Sequence, residues 1–296
     1  MKKLSRYLPS LIVSLLLVFF IILTAAASVF CINISAGRLS QIASNNGSAD
    51  IVYSQLEKYW QERYSSTRVP AEVYTDALTK EFLAQHIDLE IRNGFAELRN
   101  IDRETNDYQN AELDKSISDF YKKYAEENSF KDDEALEKAI TEAQKSARTV
   151  IQNNCDVFKF RTMSQHRILS KAAKLFNYRF FMIAAAAAGV LVLMMILLLI
   201  DHKEKSAVLY WCGCSALIAG ILGTLPCLYL LLTNYFNGFS IKQPQVFKAY
   251  TVAMTTFTEA FMSVCIATGA VGIALLIVYA VVTSKDKSVA PTNLEK

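Results

Sequence analysis

The chain has 296 residues, of which 52% are hydrophobic and 20% charged, with 10 glycines, 5 prolines and a formal net charge of +3. So few turn formers exclude an all-β fold and a disordered chain. So small a net charge, with no Lys/Arg cluster interleaved with aromatics, excludes a nucleic-acid binder.

The mean hydropathy of +0.22 is unevenly spread, because apolar residues concentrate in four blocks while the rest is charged and helix-forming. A helix needs about 20 apolar residues to cross some 30 Å of hydrocarbon, and a segment in lipid is helical because its backbone has no other partner. The expected fold is therefore all-α: four transmembrane helices plus an α-helical extracytoplasmic domain inserted between helices 1 and 2.

In chain order, residues 1–7 form a basic N-terminus, and 8–31 form the first span, with Ser14 and Thr24 as its polar interior residues. Ala25-Ala26-Ala27 resembles a signal-cleavage site at Ala27, but the run Leu11–Leu23 is long for a removable signal and is read as an anchor. Bulky Phe30 before Cys31 argues against lipid attachment there.

Residues 32–178 make the inserted domain. In "IVYSQLEKYWQERY", Val52, Leu56, Tyr59 and Arg63 share one helical face, with Tyr53, Trp60 and Tyr64 beside it. These last three are candidate partner-binding residues, since aromatics on a helix make good interface anchors; a core role is the competing reading. Pro70 sits at a plausible first helical position and Thr79 at a cap before "KEFLAQHIDLEIRNGFAELRN". Asn106 with Gln109 resembles a capping box for the next helix. Leu136, Ile140, Ala143, Ala147 and Val150 then recur at spacings of four and three, the repeat of a packed seam. With no Pro or Gly from Asp156 to Gly189, span two is expected to continue outward as a stalk, Asn153-Asn154 being its one interruption. A straight stalk lifts Cys155 roughly 36 Å above the bilayer, beyond disulfide reach of Cys31.

The second span is 179–200, followed by a hairpin at 201–206, a third span at 207–233, an outer loop at 234–250, a fourth span at 251–283 and a tail at 284–296. Lys2, Lys3, Arg6, Lys203, Lys205, Lys285 and Lys287 all fall on one side of an even number of spans. By the positive-inside rule that side is the cytoplasm, with both termini inside and residues 32–178 outside, and the plasma membrane is the expected location. Ser215, Ala219 and Gly223 in span three, with Gly272 in span four, present small residues every fourth position for helix packing, within one chain or in a homo-oligomer. Pro226 removes one backbone hydrogen bond from span three and is expected to kink it.

For chemistry, "HIDLE" gathers His86, Asp88 and Glu90, but on a helix only His86 and Glu90 share a face, which is too few ligands for a metal. No nucleophile elbow, P-loop or H-E-x-x-H motif occurs, so no enzyme and no cofactor is expected. Glu259 is the one acidic residue near span four and the candidate for transport or gating.

The stretch "YSSTRVPAEVYTDALTKEFLAQHIDLEI" resembles a pattern in uncharacterised bacterial four-span membrane proteins, X-Pro-acidic then Thr-Lys-Glu-hydrophobic after span one; it implies no activity. The layout of one span, an outer domain and three spans is similar to that of cell-division-type ABC permeases, although "DHKEKS" is too short for their coupling segment. Three functions follow as expectations. The first is a membrane protein whose outer domain binds a protein partner or senses. The second is a channel or small-solute transporter using Glu259, and the third a permease-like subunit coupled mechanically to an ATPase.

Overall fold

The computed structural model describes residues 4–288, except 103, 105–107, 109, 131 and 203. Of the orienting charges, Lys2, Lys3 and Lys203 lie outside these residues, as does the Asn106–Gln109 capping box. Every regular element among the described residues is helical. The chain divides into two compact units, 1–34 with 178–238 and 254–296, and 35–177 with 239–253.

The first unit holds four helices long and apolar enough to cross a membrane: α1 (Leu4–Asn33), α10 (Arg179–Ile200), α11 (Lys205–Leu232) and the membrane part of α12 (Pro244–Ser288). Helix α1 packs on both α10 and α11. Leu17, Leu193, Leu197, Val208, Trp211 and Cys212 form the core between them. Phe20 fills the space beside Gly189 that any larger residue there would need. Large side chains such as Phe19, Leu191, Leu199, Leu232 and Ile277 point away from the bundle. That apolar exterior is far more than a soluble domain leaves in water, and it fits a multi-pass membrane protein.

Two buried polar contacts tie α1 to its neighbours in this unit. Ser14 and Ser215 share a buried hydrogen bond of 2.8 Å, and Ser215 Oγ also donates to Ser14 O at 3.1 Å. Ser10 Oγ donates to Asp201 Oδ2 at 3.0 Å, so the first residue of the expected hairpin is buried against α1. A buried carboxylate needs such a partner, because desolvation without one costs several kcal/mol.

The second unit is a helical domain built from α2 (Ala36–Asn45), α3 (Ser48–Thr67), α4 (Glu72–Thr75), α5 (Lys80–Leu98), α6 (Ala111–Glu127), α7 (Asp133–Cys155), α8 (Phe160–Gln165) and α9 (Ile168–Asn177). Short polar residues start its helices by accepting orphan N–H groups. Ser35 takes Arg38 N, Thr79 takes Phe82 N, and Asp132 takes Ala135 N. Asn110 Oδ1 takes Glu112 N and Leu113 N, so α6 starts just past the expected box. Pro70 opens only one helical turn, α4.

Helix α5 is central. It meets α2, α3, α7, α8 and α9, and it buries Leu83, Ile87, Ile91, Phe95 and Leu98. The stripe Val52–Leu56–Trp60 of α3 packs inward at strict four-residue spacing. On α7 the buried set is Ile140, Ala147, Ile151 and Cys155. It starts on the expected seam and then moves one residue on from Val150 to Ile151, because 3.6 residues per turn drifts against a seven-residue repeat.

The expected stalk does not form. Helix α7 stops at Cys155, Lys159 and Arg167 take left-handed backbone angles (φ 55° and 57°), and α8 and α9 turn back onto α5. Asp156 fixes the break by accepting Phe160 N at 2.8 Å and Arg161 N at 3.1 Å. The gain lies in aromatic packing. Phe160 occupies the space where a Cβ on Gly94 would stand, and Phe95 meets Phe160 and Phe176 edge-on at 5.6 and 5.7 Å. Fully burying such a ring contributes about 1.5–3 kcal/mol, which offsets the roughly 1–3 kcal/mol that a left-handed residue costs.

Candidate binding surfaces

The three aromatics singled out on α3 have three different fates. Trp60 is only 5% exposed and stacks on Tyr74 at 4.7 Å with the planes 11° apart, so it is a core residue and not an exposed anchor. Tyr53 is half-buried. Tyr64, in the last turn, is 50% exposed. Between them Tyr59 carries the Arg63 guanidinium over its ring at 4.5 Å. Burial pushes the Tyr74 hydroxyl up to about 12, and the neighbouring Tyr121 and Tyr59 add to the effect.

A different aromatic surface lies at the end of α6. Phe120 and Tyr124 are one turn apart with their rings 6.3 Å apart and nearly parallel. Tyr124 is 49% exposed, and Phe130, just past the helix, is 53% exposed. The helix ends there because Ser129 takes a left-handed angle (φ 52°). The i, i+4 pair in "SDFYKKY" was the available signal, but the periodicity cannot say which face of α6 turns inward. Leu113 and Ile117 do so, in line with the observed burial.

A groove of about 470 Å³ runs between α2, the start of α3 and α5. Ala43, Ala84 and Ile87 give it an apolar side, and Gln41, Gln85 and Asp88 a polar one. Its acids are already compensated: Asp50 pairs with Lys80, and Asp88 with Arg92 at 2.9 Å.

The His86–Glu90 face points into a buried polar cluster. Tyr108, itself 2% exposed, donates its hydroxyl to Glu90 Oε1 at 2.5 Å, and Gln152 Nε2 reaches the same oxygen at 3.4 Å. His86 packs on Tyr108 with ring centroids 4.4 Å apart. Because the Phe82 carbonyl 2.7 Å from His86 Nδ1 can only accept, that nitrogen carries the proton. Burial lowers the imidazole pKa and keeps the ring neutral at pH 7. Burial, followed by the Glu90 charge, raises the Tyr108 hydroxyl, the Cys155 thiol and the Asp156 carboxyl. A buried thiol held protonated is a packing group and a poor nucleophile. The cluster ties α5, α7 and the segment before α6 together. Asp88 points away to Arg92, and no group of metal-ligating side chains converges among the described residues.

In the membrane unit the small residues are used between α11 and α12. A Cβ on Gly220 would stand 2.6 Å from Gly269 Cα, and one on Gly272 would stand 2.5 Å from Leu217 N. Gly223 faces Cys265 Sγ and Gly213 faces Leu276. Ala219 is buried, and Ser215 turns instead to α1. On α12 the row is therefore Cys265, Gly269, Gly272 and Leu276, and Gly269 was missed because its partner row lies on another helix. Glu259 is exposed on α12, with Ser263 Oγ bonded to its backbone carbonyl. Compared with known proteins, the chain matches no family model, no curated protein and no solved structure.

Proposed function

We propose that the chain is a plasma-membrane protein whose helical domain, held outside the cytoplasm by four spans, docks a protein partner through the aromatic surface Phe120, Tyr124 and Phe130. The observation that carries this reading is the exposure of Tyr124 and Phe130 on a domain that buries Trp60, Tyr74, Phe95, Tyr108 and Phe176. Exposed aromatics are the residue types that dominate interface energetics, since a large rigid surface is desolvated at little entropic cost. Tyr64 is a further exposed aromatic on the same domain. The sidedness rests on the lysines flanking the spans.

A photo-crosslinking residue placed at Tyr124 or Phe130 in the native cell should give one discrete adduct. The same residue at exposed Lys145, on α7, should give none. Tyr124→Ala combined with Phe130→Ala should remove the adduct formed from position 120. Equal adducts from all positions, or none from any, would rule the surface out.

Sidedness has its own measurement. Ser129→Cys, in a Cys31→Ala background, should react with an impermeant maleimide in intact cells. Labelling only after permeabilisation would place the domain in the cytoplasm.

A further inference from the structure

From Val157 to Ile200 the chain carries six Lys and Arg residues and no Asp or Glu. This stretch runs from the break after α7 through α8 and α9 into α10. Lys159 Nζ donates to Asn153 O at 3.1 Å, Arg161 is half-buried, and Arg179 lies over the Phe180 ring at 4.6 Å. The other three, Arg167, Lys171 and Lys174, are exposed, and none forms an ion pair with a described residue. Glu97 of α5, which reaches α8, instead accepts from Ser164 Oγ at 2.7 Å.

Helix α9 also carries apolar side chains that the helical domain does not use. It packs on α5 and α8 and buries Leu169, Ala173 and Phe176. At about 3.6 residues per turn, Ile168 and Leu175 share a second strip beside that one, two turns apart. They are 51% and 65% exposed. Lys171 and then Lys174 follow farther round the helix. An apolar strip edged by lysines is the pattern of a helix lying in a membrane surface: the strip enters the acyl boundary, and the lysine stems let the ammonium groups stay among the headgroups.

Chain continuity brings this helix to the bilayer. Tyr178 alone separates α9 from α10, which is long and apolar enough to span. One or two residues of chain reach no more than about 7 Å, so the end of α9 stays at the headgroup level where that span begins. Tyr178 is itself exposed, and tyrosine is a residue type that anchors at this depth.

We infer that α9 is a membrane-surface helix seated on anionic phospholipid. Arg167, Lys171 and Lys174 meet lipid phosphates, and Ile168 and Leu175 enter the acyl boundary. The seat requires α10 to cross a bilayer, but it is separate from the aromatic surface on α6, and its test in purified protein is the same whichever side of the membrane the helical domain occupies.

The experiment is hydrogen exchange of the full chain in two kinds of nanodisc, phosphatidylcholine alone and an equal mixture of phosphatidylcholine with phosphatidylglycerol. Protection of the α9 amides should be at least ~5-fold greater in the mixed discs, because each Lys or Arg near an anionic surface strengthens attachment by about that factor. Arg167→Gln with Lys171→Gln and Lys174→Gln, all at exposed positions, should return the mixed-disc value to that of phosphatidylcholine. The same change at the exposed lysines Lys115, Lys122 and Lys123 of α6 should leave the difference intact. Ile168→Ser with Leu175→Ser should lower mixed-disc protection by about 5-fold, since the strip no longer gains from leaving water. Four results would each overturn the assignment. They are protection that ignores lipid charge, a lipid effect that survives the changes on α9 or is lost with those on α6, protection unchanged by the two serines, and equal protection from inorganic phosphate in phosphatidylcholine discs, which would make the bases an ion site and not a lipid surface.

Discussion

Gly220→Leu should disassemble the packing of α11 on α12 and lower the stability of the membrane unit by at least about 2–3 kcal/mol, the upper range for overpacking. The effect is large because the obstructing atoms are backbone. A Cβ at 220 would approach Gly269 Cα at 2.6 Å, Gly269 N at 2.7 Å and Cys265 O at 2.8 Å, none of which can rotate aside. The helices would have to separate, and in lipid little drives them back together: tails are as apolar as the side chains, so close van der Waals contact is itself the stabilising term. Gly238→Ala is the control, since nothing stands within 4 Å of a Cβ there. Leu225→Ala, on the outer face of the same helix, should also be nearly neutral. Thermal unfolding in detergent, followed by loss of monodispersity, measures all three. A Gly220→Leu protein that melts with the parent would mean that α11 and α12 do not approach at this seam.

How much of this was legible in the sequence depends on how local each signal is. The spans are readable because about 20 apolar residues without a charge have one physical solution in lipid. Thr79 as a cap and Val52–Leu56–Trp60 as an inward stripe are likewise set within one or two helical turns. The break after Cys155 is not local. "CDVFKFRTMSQHRIL" has no Pro or Gly; Asp156 caps the turn, but the chain gains from the break only by seating Phe160 against Gly94 and Phe95, some 65 residues earlier. The same holds for the buried cluster. The i, i+4 spacing put His86 and Glu90 on one face, but Tyr108 and Gln152 reach Glu90 only in the folded domain. Segment 239–253, read as outer loop and the start of a span, belongs to the helical domain, because Gln245 and Tyr250 bond to Asn154 and Phe158 O.

Trp60→Ala should destabilise the helical domain by about 3–5 kcal/mol, whereas Tyr64→Ala should change it by no more than about 0.5 kcal/mol. The two residues sit one turn apart on α3 and looked equivalent as sequence. In the fold, Trp60 lies against the Tyr74 ring at 4.7 Å, beside Val52 and Leu56, which are both fully buried, while Tyr64 stands half in solvent. Removing the indole leaves a void that its neighbours cannot fill and forfeits a ring pair worth about 0.5–1.5 kcal/mol beyond its area. Hydrogen exchange on the full chain in nanodiscs reads this directly. Protection of the α3 and α5 amides should fall by roughly 10²–10³-fold in Trp60→Ala, since each 1.4 kcal/mol is a factor of ten in the opening equilibrium. Tyr64→Ala should keep that protection. The reverse pattern, with α3 and α5 unaffected by Trp60→Ala while crosslinking to a partner disappears, would return Trp60 to the interface and remove it from the core.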